Sequence, residues 1–259
     1  MDLRTDVAHP ARVYDFILGG TSNYPADREA AAQAVAGWPN LPTSMRQNRL
    51  FVQRTARYLA QAEGVRQFLD IGSGIPTSPN LHEVTGPDSS VVYVDNDPVV
   101  LREGTALLTP GHAERVRYVE ADMRSPESIL EAPAFTELID PTRPVALSIV
   151  AVLQFVPDDV AHDVVRRLLE PLAAGSFLVL SMVTADHDPG ILRTVDAYNA
   201  RGMFAVARSA AQVREFFTGM QMIEPGVSLV HRWRPELGRL DDERATDADV
   251  AMSGGVARK

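Results

Sequence analysis

Five short apolar runs alternate with helical stretches between Gln67 and Leu180, and no other feature narrows the possible folds as far. The runs cover residues 68–71, 91–94, 116–119, 145–153 and 177–180, with helical stretches at 78–84, 98–108, 125–130 and 158–169 between them. Strands that are apolar almost throughout belong to sheets covered on both faces. Five such β–α units in series predict a doubly wound, mostly parallel α/β sheet. Beyond the fifth run, helices are expected around 191–200 and 209–219, and Pro225-Gly226 is placed to turn a hairpin from Met222 to Trp233 that closes one sheet edge. Upstream, residues 14–64 read as helical, with Pro25 opening one helix and Pro42-Thr43-Ser44 another that ends at Gly64. The expected organisation is a helical cap over 1–64, an α/β core over 65–236 and a polar tail over 237–259.

The composition permits such a core and excludes several functions. Of 259 residues, 45% are hydrophobic and 23% charged, as in an ordinary globular chain. There is no cysteine, which removes disulfides, thiolate metal sites and cysteine nucleophiles together. Acidic side chains outnumber basic ones 34 to 25, and Lys259 is the only lysine, so the scattered arginines do not build a surface for nucleic acid. No apolar run reaches the ~20 residues of a membrane span, and residues 1–12 are too polar for a signal peptide. A cytoplasmic protein is expected. The six histidines fall into no metal-ligand spacing, and no metal is assigned.

Chemistry concentrates where strands end. Phe68-Leu69-Asp70-Ile71 runs directly into Gly72-Ser73-Gly74 before a helix, and ligands of open α/β sheets bind at such carboxyl ends. Gly72 and Gly74 allow positive φ and close approach of a ligand to the backbone, although a tight turn without ligand has the same local form. Asp95 ends the second run 25 residues after Asp70, close to the ~20 at which nucleoside sites place an acid for ribose hydroxyls. Its neighbour Asp97, followed by Pro98, supplies the helix N-cap and leaves Asp95 for a ligand. Asp122 and Met123 end the third run, positioned for an exocyclic amine and a base plane. A dinucleotide fingerprint wants a third glycine where Thr77 stands, and Asp70 would oppose a pyrophosphate. Carboxylates suit a cationic, sulfonium-bearing amino acid instead.

Asp70-x-Gly72-x-Gly74, Asp95 and Asp122 resemble the cofactor half of class I S-adenosylmethionine-dependent methyltransferases, a seven-stranded Rossmann-like α/β fold. A wider likeness, through residues 11–20, Asn23, 27–29, 46–51, 68–77 and His82-Glu83, is to a bacterial family of S-adenosylmethionine-dependent methyltransferases formerly grouped as a domain of unknown function. That resemblance implies that Gly72, Ser73 and Gly74 line the methionine moiety, with Asp70 behind the turn near the amino group. It implies Asp95, with Asn96 beside it, at the ribose, and Asp122 with Met123 at the adenine. The chain from Ala151 through Gln154 and Phe155 would flank the methyl group and shape the acceptor pocket. Gln154 stands where related enzymes often carry histidine; it can orient an acceptor but cannot act as a base near neutral pH.

Two further features are weighed from the residues. The polar turn Gly19-Gly20-Thr21-Ser22-Asn23, with Tyr24 beside it, reads as a lid over the donor, with Arg49 or Arg46 to meet its carboxylate; a surface turn with local ion pairs is the alternative. Asp186-His187-Asp188 is the best acid–base cluster near the mouth of the sheet, and equally a capped loop. No catalytic base is assigned. The expected activity is methyl transfer from S-adenosylmethionine to a small-molecule acceptor. A non-catalytic S-adenosylmethionine-binding protein and a nicotinamide-dependent oxidoreductase are the alternatives.

Overall fold

The computed structural model describes residues 3–239 and 244–259. Three helices come first: α1 (Pro10–Ile17), α2 (Pro25–Gly37) and α3 (Leu41–Gln61). Each carries proline in its first turn, where the missing N–H costs nothing. Then β1 (Gln67–Ile71), α4 (Leu81–Thr85), β2 (Ser90–Asp95), α5 (Pro98–Leu107) and β3 (Val116–Glu120) alternate. Two short helices, α6 (Pro126–Leu130) and α7 (Pro133–Leu138), lead to β4 (Ala146–Val150), α8 (Asp158–Leu169) and β5 (Phe177–Val183). The remaining elements are α9 (Leu192–Asn199), α10 (Ala210–Glu215), β6 (Gln221–Met222), β7 (Ser228–Leu229) and β8 (Met252–Arg258).

The strand order is β3-β2-β1-β4-β5-β8-β6, with β7 also paired to β8. β1 to β5 are mutually parallel and β8 runs antiparallel to its neighbours. Successive strand residues face opposite layers. Leu69, Ile71, Leu147, Ile149, Leu178 and Leu180 pack with Val164 and Leu168 of α8. Phe68, Val91, Tyr93, Phe177 and Val179 pack with Phe51 and Leu59 of α3 and with Trp233. Both faces are covered, which is why no polar alternation marks these strands.

Two expectations fail at the far edge. The segment 252–258, read as part of a polar tail, is β8, buried between β5 and the short strands β6 and β7; residues 240–243 of that tail lie outside the described residues. β6 and β7 do not form a hairpin with each other: β6 pairs Ala257 and Arg258, β7 pairs Ser253 and Gly254, so together they share one edge of β8. A third apolar cluster joins Val13 of α1, Ala31 and Ala34 of α2 and Trp38 to Ile191, Tyr198 and Met203. The helical cap is thus completed by α9 and the chain after it.

Candidate functional site

The carboxyl ends of β1 to β4 open into a cavity of about 560 Å³. β1 passes into Gly72 and Gly74, both left-handed at φ +67° and +68°. A Cβ at Gly72 would lie 2.5 Å from Val152 Cγ2, whereas one at Gly74 would meet no protein atom within 4 Å. The first glycine is therefore required by packing as well as conformation, and the second leaves backbone bare toward the cavity. Between them the Ser73 hydroxyl is buried without a hydrogen-bond partner.

Asp95 fixes this turn. Its carboxylate accepts from the Gly74 N–H at 2.9 Å and from the Asp97 N–H at 3.0 Å, which joins the glycine turn to the start of α5. A carboxylate has about four acceptor sites, so capacity remains for a ligand. Burial pushes its pKa up against the pull of those two donors. Asp70, also on the cavity wall, is raised to about 6, chiefly by burial, with the Ser148 hydroxyl and the Arg49 charge opposing and Asp95 adding to the shift. Asp97 caps α5 through the Val99 N–H, as its sequence predicts, and also accepts from Arg12 Nε at 2.8 Å. This buried pair pins α1 to the end of β2.

α1 and α3 form the wall opposite the sheet. Tyr14 and Asp15 of α1, and Ser44, Asn48, Arg49 and Val52 of α3, face the cavity at helical spacing. Ser181 of β5 donates to Asn48 Oδ1 at 2.6 Å, and the Tyr14 hydroxyl donates to the Met45 carbonyl at 2.8 Å. The third wall comes from the turn after β4 and from 202–206. Ala151, at the start of that turn, holds a left-handed φ of +56°, uncommon for a residue with a Cβ and found where surrounding packing enforces it. Arg208 clamps the rest: its guanidinium donates to the carbonyls of Leu153 and Val156, each at 2.9 Å, and to Asp158.

The family model described as S-adenosyl methyltransferase matches residues 1–259. The chain belongs to this S-adenosyl methyltransferase family. Among solved structures, a DUF574 family protein from Streptomyces avermitilis is 47% identical over 100% of both chains, with a TM-score of 0.94. A Thermobifida fusca protein, provisionally described as a methyltransferase, is 35% identical over 99% of this chain and 97% of its own, with a TM-score of 0.91. The plantazolicin methyltransferase BpumL, solved with S-adenosylhomocysteine, is 10% identical over 96% and 94% with a TM-score of 0.57, a likeness of fold. No curated protein matches the chain.

The protein is an S-adenosylmethionine-dependent methyltransferase, and the cavity's chemistry fits that cofactor. The bare turn at Gly74, the unpartnered Ser73 hydroxyl and the paired carboxylates Asp70 and Asp95 are what a cationic amino acid joined to a nucleoside requires. Of the residues singled out from the methyltransferase sequence, Asp70, Gly72, Ser73, Gly74, Asp95, Asn96, Asp122, Met123, Ala151, Arg49, Gln154 and Phe155 line the cavity. Asp122 is engaged by Arg124, whose backbone N–H and Nε both donate to Oδ1 at 2.9 Å; that pairing holds its carboxyl below the usual range. Arg49 lies on the cavity wall and donates to the Thr77 carbonyl at 2.7 Å.

Gly20, Asn23, Tyr24, Arg46 and His187 are not brought to the cavity, and Arg46 donates to Thr43 Oγ1 at 2.9 Å instead. Asn23 is buried, donating to Asp15 Oδ2 and the Gly20 carbonyl, and a Cβ at Gly20 would fall 1.9 Å from Asp15 Oδ1. The turn wraps the end of α1, so its polarity serves an internal network. His187 is exposed, while Asp186 accepts from the Ala210 N–H and Asp188 from Trp38 Nε1. The loop is capped, with no acid–base pair. Tyr14, Asp15 and Asn48 lie in stretches that carry the family likeness, but sequence reasoning gives them no place in the site, and it does not single out Arg208 at all. The polar positions 44, 48 and 49 recur on one face of α3, but a search for apolar periodicity passes over polar residues that face inward.

Proposed function

We propose that the chain's own residues divide this cavity into a donor half and an acceptor half, and that the acceptor is a small molecule. Gly72, Ser73 and Gly74 hold the methionine moiety, with Asp70 toward its ammonium group and Arg49 toward its carboxylate. Asp95, supported by Asn96, takes the ribose hydroxyls, and Met123 with Asp122 bounds the adenine. When bound, S-adenosylmethionine supplies an already activated methyl group. The protein therefore has to align and enclose the reactants, and needs no strong base to begin the reaction. α1, α3 and α9 cover the cavity on one side and leave it open to solvent elsewhere, and the Gly19–Asn23 turn supports that cover from outside.

The observation that carries this reading is a single enclosure: the glycine turn and Asp95 share one cavity with Gln154 and Phe155. Strand ends, α1, α3, α9 and the chain at 202–206 surround it, which suits a small acceptor better than a polymer, and 25 basic against 34 acidic side chains offer no tract for a phosphate backbone. Among the described residues no helix is long and apolar enough to cross a membrane, and the similar proteins of 47% and 35% identity come from bacteria. These features support a bacterial, cytoplasmic enzyme.

Calorimetric titration with S-adenosylmethionine, S-adenosylhomocysteine and NAD(H) tests the donor half. Both sulfur compounds bind and NAD(H) does not, and Asp95→Ala loses them. Retention by that variant would remove Asp95 from the site, and binding of NAD(H) alone would reverse the cofactor assignment.

A further inference from the structure

The cavity is divided by charge. Every charged side chain that lines it, from Arg4 through Asp70 and Asp95 to Arg124, lies within residues 4–124. The wall supplied by residues 150–206 carries none. There Phe155 and Tyr198 face one another with ring centroids 5.8 Å apart and planes tilted by 36°. Met203 and Val206 extend the same surface, and of its two hydroxyls, those of Thr194 and Tyr198, the first is already spent on the Ala34 carbonyl at 2.8 Å.

Within this wall Gln154 is 7% exposed, and its Oε1 is buried without a hydrogen-bond partner. A polar atom buried unpaired is costly, and its persistence at a cavity wall points to a partner that arrives with a ligand. The backbone cannot shift to relieve it. The Gln154 carbonyl accepts from the Val206 N–H at 3.0 Å, and the carbonyls of Leu153 and Val156 on either side are held by Arg208.

We propose that the acceptor's reacting end is an uncharged flat ring bearing a hydroxyl, which packs against Phe155 and Tyr198 and donates a hydrogen bond to Gln154 Oε1. This rests on reading the cavity as a methyl-transfer site. An anionic or cationic group on the ring finds no counter-charge on this wall and loses its hydration. A flat ring gains aromatic contact with both side chains. With its proton turned toward Gln154, the hydroxyl oxygen keeps a lone pair for the methyl carbon. As its bond to that carbon forms, the sulfur–carbon bond breaks with the pair left on sulfur, and the oxygen's proton leaves to solvent water.

Calorimetry on protein saturated with S-adenosylhomocysteine decides this with three probes on one ring: 2-naphthol, 2-methoxynaphthalene and 2-naphthoate. The naphthol binds about tenfold more tightly than either of the others, the size of effect expected from one hydrogen bond to a buried group. Gln154→Leu brings naphthol and its methyl ether to equal affinity without changing S-adenosylhomocysteine binding; Gln154→Met does the same should the leucine variant not fold. Gln154→His, which keeps an acceptor atom, preserves the preference. Naphthoate binding as well as naphthol, a preference that survives Gln154→Leu, or no probe binding at all to the loaded protein would each overturn the assignment. Failure to bind S-adenosylhomocysteine would instead overturn the underlying reading, and the naphthol-to-ether ratio without it still tests Gln154.

Discussion

Asp70 carries two opposed demands. Its pKa is raised to about 6 because burial penalises the carboxylate more than Ser148 and Arg49 support it. A carboxyl whose folded pKa exceeds its unfolded value near 4 stabilises the fold most when protonated, and that contribution is lost as pH rises through 6. A cationic cofactor has the reverse preference. Between pH 5 and pH 7 the ionised fraction grows from about one-tenth to about nine-tenths, so affinity for S-adenosylmethionine should rise up to about tenfold. Asp70→Asn should flatten that dependence and raise the urea midpoint at pH 7.5 while leaving it unchanged at pH 4. Calorimetry at pH 5 and 7 and urea unfolding at pH 4 and 7.5 check the two halves. This tension was legible in part: an acid at a strand end beside two glycines can be read from sequence, but its burial cannot. Asp97 was legible because Pro98 follows it. Asp122 was legible as a strand-end acid, but its engagement by Arg124 was not, because nothing in the sequence shows that Arg124 folds back on it rather than outward.

Elements with internal periodicity could be read from sequence, and elements made by tertiary contact could not. β1 to β5 announce themselves as apolar runs because both of their faces are buried. β8 reads Met-Ser-Gly-Gly-Val-Ala-Arg and gives no such signal, yet a Cβ at Gly254 would lie 2.6 Å from the Leu180 carbonyl oxygen. Its small residues are there to let β5 and α3 approach, and close approach leaves no hydrophobic pattern. The turn after β4 is similar. Its shape depends on Arg208, some fifty residues away in sequence and 1% exposed. Replacing Arg208 with methionine keeps the volume and removes the donors to Leu153 and Val156. Hydrogen bonds to charged groups are worth about 1.5–3 kcal/mol each, and the orphaned carbonyls add to the loss. The variant should lose about 3 kcal/mol in urea unfolding. It should also bind S-adenosylhomocysteine nearly as before while losing the naphthol preference, since the disturbed wall is the acceptor's. Loss of both ligands together would mean that Arg208 supports the whole cavity.

At the scale of the molecule, part of the segment read as a polar tail is the strand that joins β5 to β6 and β7. β8 pairs with β5 along its whole length and with β6 and β7 on its other side, so it separates two edges that would otherwise be open. Lys259 extends the strand: its N–H donates to the Ser176 carbonyl, its own carbonyl accepts from Gly175, and its ammonium group reaches the carbonyls of Leu169, Glu170 and Leu172 just past α8. A cation there meets the negative end of the helix. Deleting residues 252–259 therefore strips a central strand, exposes Val179 and Leu180, and leaves β6 and β7 without partners. Short strands of two residues have no stability of their own. The deleted protein should lose cooperative urea unfolding, bind a hydrophobic dye and aggregate through the bared edge of β5. The donor residues at the ends of β1 and β2 lie across the sheet from this edge, so their local sequence is untouched. If the deletion abolishes S-adenosylhomocysteine binding along with cooperativity, the site depends on closure of the whole sheet. If it unfolds cooperatively and still binds, β8 is an addition to a five-stranded core that stands without it.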